Sequence, residues 1–251
     1  MRFKLLIAYD GTDFLGFQSQ SGGQTVQDAI EASLLSVFKK PIRLHGASRT
    51  DSGVHALGQA AHFDAEWTHG CEKLLLALQT GLPKSIVIRE LIPVNENFHA
   101  RFSAKGKRYT YTLKLGKALP FETRYLWEYP YKINFLLLKK ALKAFVGSHN
   151  FSAFAGAVNK EETPIKTLKK CTASKKGDVI VITLVGSGFL YKMARSIVGF
   201  ALEIARGKAD CKKIAHYLKN PHRNPEIVTA PALGLRLEEV FYPIAPKAKK
   251  R

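Results

Sequence analysis

A chain of 251 residues, 46% of them hydrophobic, can bury one large core or two small ones, which excludes a disordered or low-complexity polymer. Its 39 lysines and arginines stand against 20 aspartates and glutamates, a formal net charge of +19; that surplus repels itself in the compact state and points to a polyanionic partner, nucleic acid. Cys71, Cys171 and Cys211 are odd in number and far apart, which suggests neither a disulfide framework nor a zinc knuckle and fits a reducing compartment, and no apolar run suits a secretory signal or a membrane span.

Arg2 to Tyr9, "RFKLLIAY", predicts a buried strand that breaks at the turn "DGT". In "TVQDAIEASLLSVFKK", Thr25 is a good N-cap, and Val26, Ala29, Ile30, Leu34, Val37 and Phe38 recur at helical spacing until Pro41 stops the run. "IRLHGA" and "GQAAHFDA" predict two strands, "CEKLLLALQTGL" a second helix and "SIVIRELIPV" a further strand. The pattern then partly repeats. Lys107 to Gly116 alternates with period two, with Tyr109, Tyr111, Leu113 and Leu115 on one face. Asn134 to Gly147 predicts an amphipathic helix, and "IKTLKKCTASKKGDVIVITLVG" a hairpin turning near Lys176 and Gly177. Phe189 to Gly207 predicts a long helix, Asp210 to Leu218 a short one, and "GLRLEEVFY" a last strand. The expected fold class is α+β: two similar α/β subdomains with mainly antiparallel sheets flanking a central basic cleft. The portions are residues 1–100, residues 101–245 and a basic tail, 246–251.

The loop in "GASRTDSGVHALGQAAHFD", Gly46 to Asp64, sets Arg49, Thr50 and Asp51 together, where such residues add nothing to a core. Gly53 permits a tight backbone that holds the acid outward. A positioned carboxylate beside an arginine suits a nucleophile or a base, although an isolated aspartate in such a loop reads most simply as an Asx-turn. His55, His62 and Asp64 lie close in sequence, but the chain has no HExxH and no paired CxxC, so no metal site is expected. Tyr109 and Tyr111 read as core aromatics, or, beside Lys105, Lys107 and Arg108, as part of an RNA surface. Arg195 interrupts the apolar face of "FLYKMARSIVG" and so demands an anionic partner.

"YDGTDFLGFQSQ", "TVQDAIEASL", "RTDSGVHALGQAAHFD", "FHARFSAKGKRYTYTL", "GFLYKMARSIVG" and "TAPALGLRLEEVFY" occur in that order. Together they closely resemble the tRNA pseudouridine synthase A family, from about Phe3 to Tyr242. The resemblance implies an enzyme that isomerises uridine to pseudouridine at positions 38, 39 and 40 of the tRNA anticodon stem-loop. It implies no organic cofactor, no catalytic metal, a cytoplasmic homodimer, and a tRNA that touches both subunits. By the same resemblance Asp51 is the nucleophile and Arg49 helps extrude the target nucleotide. Tyr109 stacks on the base, Arg195 pairs with the aspartate, and Arg101 is a further RNA contact. The chain departs from the family pattern at Ser48, where a glycine is usual, at Ala194 for valine, at Lys166 for arginine, and in "LQTGLP", which lacks an asparagine. These departures leave efficiency and the choice among target positions open.

The chemistry agrees with the residues. The C1′–N1 bond breaks, the base turns, and C5 joins C1′; nothing is oxidised and nothing leaves. One carboxylate can attack the sugar or remove its C2′ proton. Extruding the base costs a few kcal/mol, and an aromatic face returns about 1–3 kcal/mol of stacking. Two other functions fit less of the pattern: a non-catalytic RNA-binding protein, and a metal-dependent nuclease using Asp51, His55 and His62.

Overall fold

The computed structural model describes residues 1–156, 163–222 and 224–243. The basic tail, 246–251, and part of the segment that precedes Lys166 lie outside the described residues.

The first strand, β1 (Arg2–Tyr9), alternates as its sequence requires, burying Phe3, Leu5, Ile7 and Tyr9. Helix α1 (Val26–Phe38) starts at a full capping box, with the Thr25 side chain accepting from the Asp28 N–H and the Asp28 side chain accepting from the Thr25 N–H. The expected strand "IRLHGA" shortens to β2 (His45–Gly46), because the chain pairs only at His45 with His62 and Gly46 with Ala61 before it leaves the ladder. Strand β3 (His55–Asp64) starts three residues earlier than expected, because its pairing with β1 resumes at Ala56 opposite Tyr9 after an irregularity at Leu57 and Gly58. Helix α2 (Cys71–Thr80) packs on α1, and β4 (Ile86–Val94) pairs with β1.

In the second portion, β5 (Gly106–Leu115) buries Tyr109, Tyr111 and Leu113. Strands β6 (Trp127–Tyr129) and β7 (Gly147–Asn150) have no counterpart in the predicted elements, because three or four residues carry no readable period. The intervening helix, α3 (Phe135–Lys143), is capped by the Asn134 side chain. The hairpin of β8 (Ile165–Lys176) and β9 (Val179–Gly186) turns at Gly177, as expected. The predicted helix from Phe189 starts only at Met193, as α4 (Met193–Ala205); Phe189 to Lys192 form a turn in which Lys192 is left-handed, φ 60°. Helix α5 (Lys212–Lys219) and strand β10 (Leu235–Phe241) complete the chain.

The strands join in one ten-stranded sheet of order β4-β1-β3-β10-β5-β9-β8-β7, with β2 on β3 and β6 on β5. The pairings are antiparallel except β10 with β3 and β5 with β6. The fold is therefore α+β with a mainly antiparallel sheet. Strand β10 returns from the C-terminal portion to lie beside β3, so a single sheet runs through both expected portions. The joint is tight: a Cβ on Gly58 would sit 2.3 Å from the Glu238 carbonyl oxygen. Beyond it, α4 is buried along most of its length and packs against α3.

Candidate active site

The segment from Ser48 to Asp51 forms no regular element, yet its side chains alternate in burial. Ser48 and Thr50 point inward and are buried, while Arg49 is exposed and Asp51 half-buried. Each inward hydroxyl meets a buried phenol: Ser48 Oγ lies 2.7 Å from Tyr109 Oη, and Thr50 Oγ1 lies 2.7 Å from Tyr9 Oη. Gln59, fully buried on β3, accepts from the Ser48 N–H at 3.2 Å and donates to the Ser48 carbonyl at 2.7 Å. A satisfied polar network of this kind holds a loop in one place.

The loop is buttressed from the other side by residues 14–18. The Phe17 N–H donates to the Thr50 carbonyl at 3.1 Å, and Ser52 Oγ donates to the Phe14 carbonyl at 3.2 Å. Gly16 makes this approach possible: its φ is +98°, and a Cβ there would sit 2.6 Å from the Thr50 carbonyl oxygen. Gly53, φ +75°, turns the chain back, and the Val54 N–H closes the turn on the Asp51 carbonyl at 3.1 Å. The turn is thus closed by backbone. The simplest reading of Asp51, an Asx-turn, does not hold, and its side chain is free for other work.

That side chain meets Arg195. Arg195 Nη1 donates to Asp51 Oδ2 at 2.7 Å, and the two side chains are 15% and 14% exposed. The guanidinium is held in turn, because Nε donates to the Ala230 carbonyl at 2.8 Å and the Ala230 N–H donates to the Arg195 carbonyl at 3.1 Å. A charge-assisted bond on one oxygen fixes the carboxylate's rotamer. The other oxygen, Oδ1, takes no hydrogen bond among the described residues.

Asp51, Arg195, Tyr109, Arg49 and Arg101 all line one cleft of about 490 Å³, which Lys107 and Lys192 also line. Tyr109 is 5% exposed, with the Phe189 ring edge-on at 5.0 Å. Burial pushes its phenol up to about 12; the bond from Ser48 acts the other way, and the charge of Asp51 adds to the rise. Arg49 Nε donates to Gln18 Oε1 at 3.2 Å. Arg101 is exposed, its guanidinium 5.8 Å from the ring of Phe102. Arg108, which the sequence grouped with Lys105 and Lys107 as an expected RNA surface, pairs with Glu239 at 2.9 Å and lies on the strand face opposite Tyr109.

The histidines go elsewhere. His55 Nδ1 accepts from the Gly11 N–H at 3.0 Å, and its Nε2 lies 2.9 Å from the Arg124 carbonyl. His62, seven residues further along β3, stacks with His45, meets His99 edge-on, and accepts from the Ala100 N–H at 3.2 Å. Asp51, His55 and His62 are not brought together, and among the described residues no group of three acidic, histidine or cysteine side chains is placed to hold a metal. Ser48, Thr50, Gln59, Tyr9 and Phe189 escaped the sequence reading as site residues. The alternation of Ser-Arg-Thr-Asp was the signal for the first two.

A family model described as tRNA pseudouridine synthase matches residues 5–103 and 141–243. The chain is 41% identical to the tRNA pseudouridine synthase A of Akkermansia muciniphila, covering 96% of this chain and 95% of that one. It is 37% identical to that of Streptococcus mutans, over 96% and 99%, and 37% identical to that of Anoxybacillus flavithermus, over 96% and 98%. The chain belongs to the tRNA pseudouridine synthase family, a family of isomerases.

Proposed function

We propose that this protein converts uridine to pseudouridine at positions 38, 39 and 40 of the tRNA anticodon stem-loop. The observation that carries this reading is the Asp51 carboxylate, held on one oxygen by Arg195 inside a cleft lined by arginines and lysines. Asp51 acts as the nucleophile at C1′. The N1–C1′ electrons leave with the uracil, the base turns, and C5 displaces the carboxylate from C1′. C5 then loses its hydrogen and N1 gains one, so the product is an isomer and no cofactor is consumed. Arg49, exposed at the rim, enters the stack as the nucleotide leaves, and Arg101 holds phosphate. Tyr109 takes the face of the base, which approaches beside Phe189. Arg195 keeps Asp51 aimed throughout. The charge of +19 supports a tRNA partner. The enzyme works in the cytoplasm in this reading; no helix among the described residues is long and apolar enough to cross a membrane. The functional unit is a homodimer in which each tRNA touches both subunits.

The test is base-resolution pseudouridine mapping on unmodified tRNA treated with the pure protein in chelator. Pseudouridine at the three anticodon-arm positions, absent with Asp51→Asn while tRNA affinity stays within about tenfold, is the expected result. Cleavage, pseudouridine only elsewhere, or full turnover by Asp51→Asn would overturn it.

A further inference from the structure

The phenol of Tyr109 is tied at both ends. Its backbone lies inside the sheet, with Tyr109 opposite Leu237 of β10 and Leu184 of β9. Its Oη lies 2.7 Å from Ser48 Oγ, within a buried contact. Ser48 is itself immobilised, because the Gln59 side chain holds both its N–H and its carbonyl. The hydroxyl contact therefore joins two fixed points rather than two free side chains.

We infer that Ser48 is a positioning residue for Tyr109, setting the direction in which the ring projects along the cleft wall. The reason is geometric. A tyrosine hydroxyl lies on the axis about which the ring rotates, so a hydrogen bond there leaves rotation about that axis free and fixes χ1, the direction of the ring. Rotation about the axis is limited by the Phe189 ring, edge-on at 76°. Ser48 and Phe189 thus constrain different torsions of the same side chain. Stacking depends on both, since a base must meet the ring at the right place and in the right plane. Ser48 borders the cleft beside Tyr109 with its side chain buried, and it acts through Tyr109. The serine also gives the buried phenol a partner, and removing that partner strands a polar group out of reach of bulk water.

The functional consequence rests on the reaction proposed above, and the test separates the two. Full-length protein and its Ser48→Ala, Tyr109→Phe, double and Ser48→Thr variants are compared in three measurements. These are single-turnover release of tritium from tRNA carrying 5-tritiated uridine, tRNA affinity, and urea unfolding. Ser48→Ala should slow release about tenfold with tRNA Kd within about twofold, and Ser48→Thr should recover most of the rate. In the Tyr109→Phe background Ser48→Ala should cause no further loss. In urea each single variant should raise the unfolding constant about fivefold, and the double variant about fivefold rather than their product. An unchanged rate in Ser48→Ala, or an equal fall with and without the Tyr109 hydroxyl, overturns the inference. If even the parent protein releases no tritium, the proposed reaction fails and the urea cycle decides: non-additive effects uphold the Ser48–Tyr109 tie, and additive effects overturn it.

Discussion

Arg195→Met removes the charge that holds Asp51 and keeps most of the side-chain volume at the start of α4. Removing one partner of a buried ion pair typically costs about 3–5 kcal/mol. Here the two side chains are 15% and 14% exposed and open onto a cleft, so water rehydrates the stranded carboxylate and the cost falls to about 2 kcal/mol. For a chain of this size that is a fall in Tm of about 4–8 °C. Turnover should suffer more than stability. The carboxylate loses the only hydrogen bond that sets its rotamer among the described residues. A misaimed reacting group costs about 100- to 1,000-fold, or roughly 2.7–4 kcal/mol of barrier. Arg195→Lys should recover part of this. It restores a point charge but not the fork that grips Asp51 with Nη1 and the Ala230 carbonyl with Nε. Single-turnover tritium release from 5-tritiated uridine tRNA reads the rate, and thermal melting reads the fold. A methionine variant that melts several degrees lower yet reacts within threefold of the parent would make the pair a structural tie between α4 and the loop, and the reasoning would fail.

If the exposed guanidinium of Arg101 holds phosphate, Arg101→Ala should weaken all tRNAs about equally and lower the slope of log affinity against log salt by about one; a loss confined to some sequences would count against a phosphate contact. His62 makes stability depend on pH. Burial first, and the neighbouring His99 and His45 next, hold it down at about 4 from an ordinary 6.5. The unfolded chain then binds a proton that the folded chain refuses between those values. The stability is complete above about pH 6.5 and is lost as pH falls toward 4. Urea unfolding at pH 5 should show about 2 kcal/mol less stability from this group than at pH 7. His62→Gln, which keeps an acceptor for the Ala100 N–H, should shrink that difference; an identical pH loss in both proteins would place its origin elsewhere.

What the sequence made legible follows the range of the interactions concerned. The long elements were readable because each writes its own period. Phe3, Leu5, Ile7 and Tyr9 alternate on β1, and Thr25 with Asp28 announces α1. Strands β6 and β7 were not readable, since their existence depends on neighbours β5 and β8, which the local sequence does not mention. The start of α4 was misplaced for a related reason. Phe189 to Lys192 have the composition of a helix, but here they form a turn that lines the cleft, with Phe189 against Tyr109. Arg195 was legible as a problem, a charge on an apolar face, and its solution lay 144 residues away at Asp51. The loop shows most directly how far local reading reaches. Arg49 and Asp51 were given roles because they are charged, whereas Thr50 was noted beside them without one and Ser48 only as a departure from the family pattern. In this loop the two sets alternate. Arg49 and Asp51 reach the cleft while the side chains of Ser48 and Thr50 are buried, where a hydroxyl is tolerated only if it is paired. Tyr109 and Tyr9 supply those pairs, so the inward hydroxyls anchor the loop on which Arg195 aims the acid.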